Sequence, residues 1–325
     1  MFPLVERESS TSSFLYLVDG YGNFGHKRQA ILKDKCLGTI SRNPLRGADF
    51  KSVSEVPPSI LERINAVVIT VPDPAKFDRV AFWLSQGKNV LVEKPLLTSP
   101  SQLKLLQKIA DEHKVVWVTA YNHRNEPHII EIKSLIDQGF LGNIYHARLC
   151  YGFGNVQQLA HTWRDANLGA LAEVGSHLID LTHHFFEYEG KAFEGVSLKR
   201  IEWSSGIDHA QFRTKDKIVM CEASMLYWKN TFEIDAFGQK GSLHLRGLSK
   251  WGESTLSIRK RAFPAGIPEE ETIACTSIID NTLAQDFVNF EERCKLGVTS
   301  YSDDLRVITA LASITNIKKN SQNKN

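Results

Sequence analysis

Cysteine is scarce in this chain. There are five in 325 residues (Cys36, Cys150, Cys221, Cys275 and Cys294), and no C-x-x-C pair. An odd, scattered set argues against a disulfide framework and for reduced thiols in a cytoplasmic setting. An excess of one charge sign is also lacking. Lysine plus arginine total 39 against 37 aspartates and glutamates, so no overall field draws the protein to nucleic acid or to a membrane surface. No apolar run reaches the ~18 residues expected of a membrane span, and residues 1–7 carry no signal-peptide pattern. The H-x-x-x-H and C-x-x-C spacings of common zinc sites are missing, so no metal is expected. No internal repeat is visible. Only residues 318–325 are low in complexity, and fraying is expected there.

What is present is an ordinary globular composition, 42% hydrophobic and 23% charged. The length suggests about two domains and is ample for a sizeable core. Residues 14–18 read as a strand, and residues 26–33 as a helix. Between them lies Gly20-x-Gly22-x-x-Gly25. In a strand–loop–helix setting the first glycine makes a tight turn. The second lets a pyrophosphate approach the backbone, and the third lets the helix pack close to the sheet. Asn23 and Phe24 sit at the helix start, where unpaired N–H groups suit phosphate. These features predict a dinucleotide site at Gly20, Gly22, Asn23, Phe24 and Gly25.

The second strand, residues 36–40, runs into Ser41-Arg42. The NAD version of this unit carries a carboxylate there for the ribose 2′-hydroxyl. A hydroxyl beside a guanidinium suits a 2′-phosphate instead, so NADP is expected over NAD. Residues 65–71 form another apolar strand, ending at Pro72-Asp73, and residues 75–85 a helix. Asn89-Val90-Leu91-Val92 is a buried-strand pattern running into Glu93-Lys94-Pro95. Ser99 looks like the N-cap of the next helix, and residues 115–119 are a further strand. Alternating strands and helices predict a parallel, doubly wound sheet. Pro72, Asp73, Glu93 and Lys94 all fall at carboxyl ends of strands, the edge where such sheets bind ligands.

In the second half, Glu173, His177 and Asp180 are spaced i, i+4 and i+7 on a helix expected from residue 174 onward, which would place them on one face. Trp163 and Arg164 lie in a polar-aromatic loop before it. Strands are expected over residues 196–204, 210–213, 218–225, 231–237 and 242–245, with Gly238-Gln239-Lys240-Gly241 as a hairpin turn. The basic triplet Arg259-Lys260-Arg261 reads as a solvated sheet edge in preference to a diphosphate contact for a nucleotide-sugar substrate. Two helices close the chain, one carrying Leu283, Phe287 and Phe290, the other starting near Ser302.

The glycine loop, Gly87-Lys88-Asn89-Val90-Leu91-Val92-Glu93-Lys94-Pro95, and Asn122-His123-Arg124-Asn125-Glu126-Pro127 together resemble the Gfo/Idh/MocA family of glucose–fructose oxidoreductase and inositol dehydrogenase. The resemblance covers nearly the whole chain. It implies an α/β fold with a Rossmann domain over residues 1–121. Residues 122–325 would form an α+β substrate and oligomerisation domain with an open, mostly antiparallel sheet. It further implies an NAD(P)-dependent oxidoreductase acting on a sugar, nucleotide sugar or cyclitol. By matching position, Lys94 and His177 would be catalytic, with Glu173 in the place of an aspartate. Glu173 is one methylene longer, which leaves two roles open: orienting His177, or sitting out of its reach. Asn122, Arg124, Trp163 and Arg164 would join Lys94 and His177 around the substrate. Relatives often pair through the open face of the second sheet, so a homodimer or homotetramer is implied. Two alternatives stay open: a glycosidase that uses NAD transiently, and a cofactor-binding sensor without turnover.

Overall fold

The computed structural model describes residues 14–203, 205–276 and 280–316. Residues 318–325, where fraying is expected, and Ser204, the last residue of one expected strand, lie outside that set.

The first sheet is built from β1 (Tyr16–Asp19), β2 (Cys36–Ile40), β3 (Ala66–Ile69), β4 (Asn89–Glu93) and β5 (Trp117–Ala120), all parallel, in the order β2-β1-β3-β4-β5. The helices α1 (Asn23–Leu32), α2 (Pro58–Arg63), α3 (Asp73–Ser85) and α4 (Pro100–His113) lie in the connections. Side chains alternate across the sheet with the two-residue period of a strand. Leu17, Val67 and Val92 face α3 and α4 through Val80, Leu84, Leu103 and Leu106. Tyr16, Val18 and Leu91 face the other way, toward Leu32 of α1. Ser99 caps α4 as expected: its hydroxyl accepts from the Gln102 N–H at 3.1 Å, and the Gln102 side chain returns a bond to the Ser99 N–H. Such a box satisfies two orphan donors at a helix start.

Beyond the first sheet come α5 (Pro127–Asp137), β6 (Ile144–Gly152), α6 (Val156–Leu159) and α7 (Ser176–Phe186). Then follow β7 (Phe193–Lys199), β8 (His209–Thr214), β9 (Val219–Ser224), β10 (Thr231–Gly238), β11 (Gly241–Arg246), β12 (Ser254–Lys260) and β13 (Glu269–Cys275). They form one sheet in the order β13-β12-β11-β10-β6-β9-β8-β7. Its pairs are antiparallel except β6 with β9. Leu149, Phe232, Ile234, Leu243 and Leu245 pack inward with Ile129 and Ile132 of α5 and Leu178 and Leu181 of α7.

Three sequence expectations change here. No strand is named over residues 144–152 from the sequence, yet β6 occupies the middle of this sheet. The basic triplet is not at an edge either. β12 is covered by β13, where Glu270 and Glu269 pair with Arg259 and Lys260 at 3.1 and 3.6 Å. The helix expected from residue 174 begins instead with a wide π-helical turn over Leu171–Gly175, and the regular helix starts at Ser176.

The chain closes with α8 (Thr282–Leu296) and α9 (Tyr301–Thr315). Helix α8 returns to the first sheet, where Phe287 and Phe290 pack on Tyr16. Helix α9 bridges the two cores, with Ile308 in one and Val307, Leu311 and Ile314 in the other. Its Asp304 is buried and accepts from Trp117 Nε1 at 2.9 Å and Thr119 Oγ1 at 2.8 Å.

Candidate active site

A cleft of about 660 Å³ opens along the carboxyl edge of the first sheet and ends against the second core. Gly20, Gly22, Asn23, Phe24, Ser41, Arg42, Pro72, Glu93 and Lys94 line it. From the second core come Trp163, Arg164 and Glu173.

The three loop glycines serve different ends. Gly20 has φ +107°, and a Cβ there would lie 2.7 Å from the Thr70 carbonyl carbon. A Cβ on Gly25 would fall 2.2 Å from the Gly20 oxygen. These two are glycine because the backbone leaves no room. At Gly22 a Cβ would meet no described atom within 4 Å. That position faces the open cleft above the start of α1, where helix N–H groups point outward. A tight turn, an open approach and a helix N-terminus in this order fit the pyrophosphate of a dinucleotide. After β2, the lining residues are Ser41, Arg42, Asn43, Arg46, Lys51, Ser52 and Val53, with no carboxylate among them. Asp49, the nearby acid, is turned back onto Thr39, accepting from its N–H and hydroxyl at 2.9 and 2.8 Å.

Glu93 and Lys94 end β4 with opposite roles. Glu93 accepts from Arg28 Nε at 2.8 Å, and the buried Arg28 also pairs with Asp286 of α8 at 2.8 Å. Lys94 instead reaches the second core. Its Nζ donates to the Glu173 backbone oxygen at 2.6 Å and lies 3.7 Å from the Glu173 carboxylate. In a π turn the helical bonds reach one residue further than in an α-helix, and here the Glu173 carbonyl receives the lysine. The buried Lys76 braces this strand end, donating to the Lys94 and Pro95 carbonyls at 3.0 Å each and pairing with Asp73 at 2.7 Å. Asp73 is thus held by Lys76 and is not among the lining residues. Burial pushes the Lys76 ammonium below the ordinary lysine value, with the Asp73 charge opposing.

The polar face expected from Glu173, His177 and Asp180 does not form. Asp180 binds Arg124, accepting from its Nε at 2.9 Å and from a second guanidinium nitrogen. Arg124 also meets Asp303 at 3.2 Å. Asn122 donates to Thr282 Oγ1 at 2.9 Å. Arg124 and Asn122, expected around the substrate, are therefore engaged between α7, α8 and α9, and neither lines the cleft. Glu173 lies in the π turn and meets Lys94 and Arg164. Its carboxylate meets Arg164 at 3.5 Å, and Arg164 stacks over Trp163 at 4.2 Å. Burial raises the Glu173 carboxyl, but Lys94, Arg164 and Lys76 together outweigh it and hold the group below its usual range.

His177 is buried on α7, behind the cleft wall. Its ring stacks on His123 with centroids 3.8 Å apart and planes 14° apart. Its Nδ1 has no hydrogen-bond partner among the described residues. Burial pushes the imidazole well below the ordinary histidine value, and the His123, Lys94 and Lys250 charges push the same way. A neutral imidazole keeps a nitrogen that can accept a proton, while burial and the nearby ammonium groups oppose its holding one. His123, Lys76 and Lys250 are not marked as site residues by the sequence. His123 sits inside a motif, but Lys250 lies 127 residues away from it and carries no signal.

A glycine cradle facing a lysine and a buried histidine defines a two-core, dinucleotide-binding class of protein. Residues 15–121 match the oxidoreductase family with an NAD-binding Rossmann fold, and residues 129–244 match the GFO/IDH/MocA C-terminal domain. The chain belongs to the GFO/IDH/MocA oxidoreductase family.

It is similar to the scyllo-inositol 2-dehydrogenase (NADP+) of Bacillus subtilis, at 30% identity over 126 residues, covering 38% of this chain and 35% of that relative. It is also similar to the trans-1,2-dihydrobenzene-1,2-diol dehydrogenase of Xenopus tropicalis, at 24% identity, covering 63% and 62%. The match thus spans between about a third and three fifths of the length of these relatives. Two solved structures share the fold at 17% identity. A putative NADPH-dependent oxidoreductase from Desulfitobacterium hafniense has a TM-score of 0.78 and coverage of 93% and 94%; a levoglucosan dehydrogenase complex with NADH and levoglucosan has 0.74 with 93% and 96%. Among the described residues no helix is long and apolar enough to cross a membrane, and no cluster of three metal-ligating side chains occurs.

Proposed function

We propose that this protein is an NADP- or NAD-dependent oxidoreductase acting on a secondary alcohol or ketone of a sugar, nucleotide sugar or cyclitol. The observation that carries the reading is Lys94 Nζ, set at the end of the glycine-lined cleft and in contact with the second core. The inositol and levoglucosan named for similar proteins support a polyhydroxylated substrate. Gly20, Gly22, Asn23 and Phe24 would hold the pyrophosphate, and Ser41, Arg42 and Arg46 the adenosine ribose. The cations after β2, with Asp49 turned away, favour a 2′-phosphate and hence NADP.

When bound, the nicotinamide supplies or accepts the hydride. The chain's own part is to manage the substrate oxygen. Lys94 donates a hydrogen bond to that oxygen and stabilises the developing alkoxide. His177, buried behind the cleft wall, would have to reach the substrate oxygen to take the hydroxyl proton during oxidation and return it during reduction. Glu173 steers Lys94 through its carbonyl and carboxylate rather than orienting His177. Arg164, stacked on Trp163, closes the substrate end. The test is a panel of cyclitols, sugars and sugar phosphates with each dinucleotide, read by reduced-nicotinamide absorbance. Turnover preferring NADP is expected. Sugar release without net cofactor reduction would point to a hydrolase. Dinucleotide binding without turnover on the whole panel would point to a sensor.

A further inference from the structure

Beneath the cleft wall, two imidazoles lie face to face and a third basic group ends on one of them. His123 comes from the turn after β5, His177 from α7, and Lys250 from the loop after β11. The rings stack at 3.8 Å, and Lys250 Nζ lies 2.9 Å from His123 Nε2. A charged lysine has donors only, so His123 Nε2 accepts from Lys250 as an ammonium, with the His123 proton on Nδ1; burial pushes the Lys250 ammonium below the ordinary lysine value, opposed by the Glu126 and Asp280 charges. Neither His123 nor Lys250 is among the residues that line the cleft.

We propose that His123 and Lys250 are positioning residues for His177: Lys250 fixes the tautomer of His123, and the flat His123 ring holds the His177 ring in place. The inference rests on the oxidoreductase reading for the role of His177, but not for the coupling within the cluster. The groups that face the ring pair are Lys94 from β4, Tyr151 from β6, whose ring centroid lies 5.2 Å from His123 and 5.8 Å from His177, and Lys250. Glu173 on the π turn and Glu126 below Lys250 are the nearby acids. Glu126 accepts from Ser249 Oγ at 2.7 Å, and burial raises its carboxyl. Two ammonium groups therefore bear on the ring pair. Both rings are pushed well below the ordinary histidine value, by burial first and by Lys250 and Lys94 in addition. Protonating either imidazole would place a cation against another ring and beside Lys250.

The test is the pH titration of the imidazole carbon-bound proton resonances by NMR, in the full chain without substrate. His177→Gln and His123→Phe assign the signals. In Lys250→Met the ring pair should take up its first proton about one pH unit higher than in the unsubstituted protein, because one of the opposing charges is gone. Lys250→Arg, which keeps charge and donors, should restore the original midpoint. Turnover provides the second readout: the acid limb of kcat/KM should move to higher pH by the same amount in Lys250→Met, with KM nearly unchanged. Identical midpoints in the unsubstituted protein and Lys250→Met would overturn the inference, whatever the activity. A shifted midpoint in a chain that turns over nothing would instead fault the oxidoreductase reading and leave the coupling standing. Should Lys250→Met fail to fold, His123→Phe takes its place: it keeps a flat ring but removes the acceptor, and should itself raise the His177 midpoint. An unmoved His177 midpoint in that variant would equally overturn the inference.

Discussion

Glu93 and Lys94 are neighbours in the chain and belong to two different regions of the molecule. Glu93 completes a closed ionic cluster. Arg28 is fully buried between Glu93 and Asp286, and its remaining donor reaches the Leu283 carbonyl at 2.9 Å. Arg124, Asp180, Asp303 and Arg293 form a second closed cluster of the same kind. Lys94 and the His123–His177 pair are open by comparison. Lys94 faces a cleft, and both histidines keep a buried Nδ1 without a partner among the described residues. Burial and charge do not separate the two regions, since both have them. Completeness does. A charged group whose neighbours saturate it holds helices to sheets, while one left with donor or acceptor capacity beside a cavity is available for chemistry.

The comparison can be broken by substitution. The largest effect is expected at the open region. His177→Gln should lower kcat by about 10²–10⁴-fold with thermal stability nearly unchanged, measured by steady-state kinetics and a melting curve. The closed region should show the reverse profile. Arg28→Met leaves Glu93 and Asp286 buried without their cation, and should cost about 3–5 kcal/mol of stability in denaturant unfolding. A smaller effect is expected where the cleft meets solvent. Arg42→Ala should lower the preference for NADP over NAD by about 10- to 100-fold, the worth of a charge-assisted hydrogen bond to the 2′-phosphate, read from the ratio of kcat/KM values. An unchanged ratio would assign Arg42 to solvent.

A pH-dependent effect concerns Asp304. Burial pushes its carboxyl up to about 7, opposed by hydrogen bonds from Trp117 and Thr119. The folded state thus favours the protonated form. Its contribution to stability is full below the ordinary carboxyl range and is lost as pH rises through about 7. Asp304→Asn should flatten this decline, seen by comparing unfolding free energies of the two proteins between pH 4 and pH 7.

Much of the first sheet was legible in the sequence because its signals are local. The strand β2 spans the expected residues 36–40, the glycines fall where turn geometry requires them, and Ser99 caps its helix. The second half was harder for physical reasons. β6 mixes polar and apolar residues because one face meets α7 and the other carries Arg148, bound to Asp235 of β10 at 3.0 Å. Its place between β9 and β10 is set by pairings far apart in sequence. The π turn inserts extra width into a stretch whose spacing otherwise reads as regular helix. Arg124 looked like a site residue because nothing in its neighbourhood in sequence announces Asp180 or Asp303, which saturate it. Lys250 was invisible for the same reason in reverse: only the folded chain brings it to His123.

The most direct measurement is on Lys94→Met. Dinucleotide affinity is measured by titration calorimetry, and single-turnover hydride transfer is measured with a substrate that the unsubstituted protein oxidises. If Lys94 is the open group that holds the reacting oxygen, affinity stays within about threefold while transfer falls by about 10²–10³-fold, as for loss of one oxyanion donor. Parallel loss of affinity and transfer, or transfer at the original rate, would place Lys94 with Glu93 as a structural charge and contradict the account.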